Sequence, residues 1–136
     1  MAVVLGSNAN IHNSYNTGAI SSAKNNTGNN FGAGGIVGGF NAGALSKIQY
    51  TYNTGSVAGG RKNIGGIVGI LRNSTVDQVY NTGAISGGQD VGGIVGFNLQ
   101  NGYVTNAYNT GQIGVSGVSA AHVGGVVGRN DAYVQY

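Results

Sequence analysis

Residues 78–98 read QVYNTGAISGGQDVGGIVGFN, with no proline and one charged residue, Asp90. Two phrases in it recur along the chain. Tyr-Asn-Thr-Gly stands at 15–18, 52–55, 80–83 and 108–111. Gly-Gly-Ile-Val-Gly stands at 34–38, 65–69 and 92–96, with Gly-Gly-Val-Val-Gly at 124–128. The tyrosines follow one another by 37, 28 and 28 residues and the glycine pairs by 31, 27 and 32, so a unit of about 28 residues repeats and tolerates short insertions. An aliphatic residue lies four positions before each tyrosine (Ile11, Ile48, Val76, Val104) and another five after it (Ile20, Val57, Ile85, Ile113). An asparagine follows the glycine phrase as Asn41, Asn73, Asn98 and Asn130.

These spacings divide the 136 residues, one domain, into repeats at about 9–43, 44–73, 74–101 and 102–130, with partial repeats at 1–8 and 131–136. Val4-Leu5-Gly6-Ser7-Asn8 is aligned with Ile94-Val95-Gly96-Phe97-Asn98, and Val134 takes the place of Val104. Both ends are therefore expected to cut through a repeat, as in a segment of a longer array or a unit continued by neighbouring copies.

Each phrase has a physical reading. Asn and Thr suit the centre of a tight turn, and the following glycine supplies a conformation that other residues resist. Tyr15, Asn16 and Gly18, Tyr52, Asn53 and Gly55, Tyr80, Asn81 and Gly83, and Tyr108, Asn109 and Gly111 are thus expected to form corners and, from coil to coil, stacked columns. Glycine beside a strand marks a bend or a close backbone approach. Three strands per unit are expected: one ending in Tyr-Asn-Thr, one around the next aliphatic residue, and Gly-Gly-Ile-Val-Gly. Units this short bury no face alone, but stacked they cover one another. The expected fold is all-β, a β-solenoid of about four to five coils. Ile36, Ile67, Ile94 and Val126 join the eight aliphatics above in the expected core. Strand alternation then sends Val37, Val68, Val95 and Val127 outward as a candidate lateral contact, unless a bulge turns both residues inward.

Composition removes several classes of function. Glycine supplies 28 residues, and the 40% apolar content argues against disorder. Six basic residues face three aspartates, with only Arg61-Lys62 adjacent, so no basic stripe for nucleic acid is present. No apolar run approaches the ~18 residues of a membrane helix, and residues 1–6 lack the basic start of a signal peptide. There is no cysteine or glutamate. Asp77, Asp90, Asp131, His12 and His122 show no metal-ligand spacing, and the glycine phrases lack the Lys-Ser/Thr of a phosphate loop. No catalytic residues, cofactor or metal are expected, and neither is membrane insertion.

The succession Tyr-Asn-Thr-Gly, Gly-Gly-Ile-Val-Gly, Asn resembles the GLUG repeat of large bacterial surface and secreted proteins, in four copies covering nearly the whole chain. That resemblance implies a β-solenoid outside the cell, without catalysis of its own. The expected role is a structural or adhesive segment at the bacterial surface. A self-assembling filament subunit with head-to-tail stacked ends is one alternative, and a glycan-binding face another. The expected partners are neighbouring repeats, further copies, or a host or cell-surface glycan or protein.

Overall fold

The computed structural model describes residues 2–5, 7–22, 32–40, 45–60, 62–116 and 121–135. Asn41 lies outside them. All paired strands are parallel. One coil runs Thr75–Asn81, Ile85–Gly87, Gln89–Gly92 and Val95–Leu99, and each of these strands pairs with its counterparts in the coils before and after. Lys47 to Asn130 makes three such turns, and flanking strands extend the stack at both ends. The result is a β-solenoid close in length to the four to five coils expected. Among the described residues there is no helix.

Four sheets form the walls. The first has five strands: Ala2–Leu5, Val37–Phe40, Val68–Arg72, Val95–Leu99 and Val127–Asn130. The second has six and carries the tyrosines: Asn10–His12, Tyr15–Asn16, Lys47–Asn53, Thr75–Asn81, Tyr103–Asn109 and Tyr133–Gln135. Two four-stranded sheets complete each turn, one built on Ile20, Val57, Ile85 and Ile113 and the other on Ala33, Ile64, Val91 and Val123.

Four strands per coil, rather than three, follow from the glycine phrase. The chain bends at Gly66-Ile67 and Gly93-Ile94, so the phrase straddles a corner and belongs to two sheets. That bend resets the alternation of side chains, with a second consequence. Val37, Val68 and Val95 are fully buried, and Val127 is partly buried. The expected lateral stripe does not form, because the bend turns both apolar residues of the phrase inward.

A second reset lies in the tyrosine strand. Tyr50, Gln78 and Asn106 have φ of 52°, 52° and 47°, the left-handed region that non-glycine residues seldom adopt. Asp77 and Gln78 therefore lie more exposed than Val76 and Val79, which are both buried. Tyr80 then faces outward and Asn81 inward.

The interior is two compartments. The larger holds Ile36, Val37, Phe40, Ile48, Ile67, Val68, Leu71, Val76, Val79, Ile94, Val95 and Val104, and the smaller Ala33, Val57, Ile64, Ile85 and Val91. Ile11, Val126, Ile20 and Ile113, expected in the core, are partly buried against these clusters. A waist of bare backbone divides the two compartments. A Cβ on Gly65 would strike the carbonyl of Val68, and one on Gly96 the backbone of Ile64 and Asn63. No side chain fits between these strands, which is why glycine recurs there.

Two alignments read from sequence change in register. Asn98 pairs with Leu71, not Asn73, and Asn73 sits at the following bend. At the start, Ala2 pairs with Val37 and Leu5 with Phe40, so Leu5 takes the level of Asn98 rather than Val95. The backbone ladder sets these levels, whereas the sequence match followed similar letters.

Burial predicts the cost of truncation. Ile94, fully buried between two coils, should lose ~2–5 kcal/mol as Ile94→Ala. Val123 occupies the register of Val91 but is 48% exposed, against 0% for Val91. Val123→Ala is expected to cost less than about 1 kcal/mol, in line with an area-based scaling. Urea unfolding of both variants checks the ranking.

Candidate functional site: the asparagine and tyrosine columns

The inward asparagines form one continuous ladder. Asn16 Nδ2 donates to Asn53 Oδ1 at 2.8 Å, Asn53 to Asn81 at 2.7 Å, and Asn81 to Asn109 at 2.7 Å. Each amide also donates to a carbonyl two residues on, at Gly18, Gly55, Gly83 and Gly111, over 2.7 to 2.9 Å. The Gly18, Gly83 and Gly111 amides return a bond to the asparagine oxygen. Asn53 and Asn81 are completely buried. Their amides lie at the waist, where a Cβ on Gly35, Gly66 or Gly93 would collide with Asn53, Asn81 or Asn109. The two recurring phrases therefore meet: the second glycine of one makes room for the asparagine of the other.

The tyrosines one residue earlier stack outside the same wall. Ring centroids of Tyr15, Tyr52, Tyr80 and Tyr108 are 5.3, 4.9 and 5.2 Å apart, with interplanar angles of 8°, 2° and 7°. Nothing can slide between rings at that spacing, so the inner faces are closed to a ligand. Burial, then the neighbouring Tyr52 and Tyr108, hold the Tyr80 hydroxyl above the ordinary phenol range.

Beside this stack, Gln49, Asp77 and Thr105 occupy one level of successive coils. Gln49 Nε2 donates to Asp77 Oδ2 at 3.1 Å, and Thr105 Oγ1 and Asn106 Nδ2 donate to Oδ1 at 2.8 and 2.9 Å. Burial opposes the charge, but these bonds and one from Gln78 outweigh it and lower the Asp77 pKa. A depressed carboxylate pKa contributes stability above the unfolded value of about 3.9, lost as pH falls through the folded value. Asp77→Asn should thus lower the melting temperature at pH 7, and its deficit relative to the parent should shrink by pH 3. A constant deficit would show that the charge is not what matters.

His122 and Asp90, distant in sequence, meet across one coil step at 2.6 Å between Nδ1 and Oδ1, with Asp90 buried and His122 half exposed. The His12 ring meets the amide of its neighbour Asn13 at 3.3 Å. Among the described residues no three His, Cys, Asp or Glu side chains gather into a metal-binding group, and no helix is long and apolar enough to cross a membrane. Asp131 pairs with Arg129, whose guanidinium lies 4.5 Å over the Phe97 ring.

Sequence reading missed one surface feature. Where the chain turns from the five-stranded into the six-stranded sheet, a cleft of about 230 Å³ is lined by Leu45, Ser46, Lys47, Asn73, Ser74, Thr75, Asn101 and Tyr103. Its Lys47, Thr75 and Tyr103 share one level but differ in type, so repetition gave no signal for it. Comparison of the chain with protein-family models, curated proteins and solved structures finds no match in any of the three.

Proposed function

We propose that the chain is a non-catalytic, extracellular structural and adhesive repeat segment of a bacterial surface or secreted protein. One observation carries this reading: the residues that recur most faithfully, Tyr and Asn, spend their hydrogen bonds and ring faces on the same residues in adjacent coils. Recurrence of that kind maintains a rod and leaves the variable positions to face partners. The resemblance of the recurring phrases to GLUG repeats supports the same location. Antibody labelling of intact producing cells, alongside fractionation, tests the reading. Surface or culture-medium signal is expected, and confinement to the cell interior would overturn it.

A filament is the second reading, favoured by the last described coil. Its Val115 and Val123 are 41% and 48% exposed, though Val91 and Ile64, the counterparts of Val123 farther in, are covered. A coil of like pattern, from this or another chain, would cover them. In-register docking of Ala2–Leu5 on Val127–Asn130 of another copy leaves one level of the four-stranded sheets empty, because those sheets have one strand fewer than the five-stranded wall. Self-assembly therefore requires that gap to be filled or the end coil to shift. Sedimentation of the 136-residue chain decides this point: a monomer at high concentration removes the filament.

A further inference from the structure

We propose that the cleft at the turn between the five- and six-stranded sheets binds a linear acidic polysaccharide, with Lys47 receiving a sugar carboxylate. This deepens the adhesive part of the reading above and rests on it. The shape of the cleft comes first. Lys47, Thr75 and Tyr103 are register partners in three successive coils, spaced by about 4.8 Å per strand. The lining also takes Ser46 and Ser74 from adjacent coils, and Asn73 and Asn101 likewise. The cleft therefore runs along the solenoid axis, which suits an extended polymer rather than a compact small molecule.

Its chemistry matches a charged sugar. Thr75 brings a hydroxyl and the exposed Asn101 an amide, groups that pair with the hydroxyls of a pyranose, while the buried Ser46 and Ser74 form the floor, their Oγ atoms accepting the Ala9 and Ser46 amides. Tyr103 is 46% and Leu45 74% exposed, giving an apolar surface for the C–H face of a sugar ring. The tyrosine column cannot serve in this way, since its inner rings close on each other.

The charge selects an anion. Among the described residues, Lys47 and Arg72, the latter next to Asn73 in the chain, form no ion pair. No carboxylate lines the cleft, and Asp77, Asp90 and Asp131 are engaged elsewhere. A neutral glycan would leave the Lys47 ammonium unused, and an acidic peptide would not need the exposed ring.

Isothermal titration of the whole chain with a galacturonic-acid oligomer tests the proposal, with a neutral glucose oligomer of equal length and poly-glutamate as comparisons. The acidic oligomer is expected to bind more tightly than either. Lys47→Gln and Tyr103→Ala should each weaken it by about tenfold or more, equivalent to about 1.4 kcal/mol. Asn101→Asp, which adds a like charge at the rim, should do the same, and it keeps the test alive if Tyr103→Ala does not fold. Arg129→Gln, outside the cleft, should leave binding unchanged. Absence of binding, equal binding of poly-glutamate with Tyr103→Ala silent, or an equal loss in Arg129→Gln would each overturn the proposal. A cleft that binds nothing on a chain found at the cell surface sinks this proposal alone, whereas an intracellular chain sinks the reading beneath it.

Discussion

Gly65→Ala is expected to destabilise the protein at least as much as truncation of a fully buried core side chain. The added methyl would strike the Val68 carbonyl oxygen and lie 2.6 Å from that of Ile94 and 2.8 Å from the Gly96 nitrogen. Those atoms belong to the backbone of two coils and are held by the ladder, for the Ile67 and Val68 amides both donate to the Ile94 carbonyl at 2.9 Å. Overpacking commonly costs ~1–3 kcal/mol when side chains can yield. Here the backbone itself must separate, and a cost above about 3 kcal/mol is expected, or roughly 10 °C in melting temperature. Against a typical total of ~5–15 kcal/mol, such a loss is large. Gly114→Ala is the matched control. Its Cβ would have nothing nearer than 3.8 Å, so a near-neutral result is expected. Equal melting of the two variants would remove the waist from the account.

Asn81→Ala is the second large effect. The side chain accepts from Asn53 and the Gly83 amide and donates to the Gly83 carbonyl and Asn109. Truncation removes all four bonds at a completely buried position and leaves polar groups of three residues without them. One buried unsatisfied group costs ~1–3 kcal/mol, and the summed effect should reach about 3–5 kcal/mol. Asn16→Ala, at the exposed end of the same ladder, lets water replace the lost bonds and should cost less than about 1 kcal/mol. Denaturant unfolding gives both values. Hydrogen exchange adds a local readout, since the Gly83 amide should exchange faster in Asn81→Ala. Unchanged exchange there would show that the ladder does not hold the turn.

Much of this arrangement was legible because a solenoid writes each structural demand once per coil. Strict repetition of Tyr80 and Asn81 pointed to columns, and columns of stacked rings and paired amides are what the molecule has. The aliphatics at Ile48, Val76, Ile67 and Ile94 were readable as core for the same reason. The outward reading of Val68 and Val95 failed because strand alternation was carried through a corner. The corner depends on how Gly66 and Gly93 accommodate Asn81 and Asn109 from the next coil, a contact between distant residues. Val79 escaped notice for a similar reason: it is inward only because Gln78 adopts a left-handed conformation, and glutamine gives no sign of that. Asn73 misled by its letter, since Leu71 holds the level of Asn98 and an apolar residue can serve there as well as an amide. The cleft around Lys47 and Tyr103 was invisible for a simpler reason. Lys47, Thr75 and Tyr103 differ in type, and they become neighbours only once the register is known.

Successive coils lie parallel and in register, each about 28 residues after the last through the middle of the stack. The chain has no cysteine, so paired cysteines can measure this directly. Ala58 and Ser86 are Cα partners in adjacent coils and both are exposed. Adjacent strands bring such positions to about 4.8 Å, inside the ~4.4–6.8 Å span of a disulfide. Ser56 is exposed too, but it lies two residues out of register with Ser86, beyond the ~7 Å limit for bridging. Under mild oxidation, Ala58→Cys with Ser86→Cys should form an intramolecular disulfide with the melting temperature preserved or raised, while Ser56→Cys with Ser86→Cys should remain reduced. A disulfide in the second pair and not the first would contradict the register on which every column described above depends.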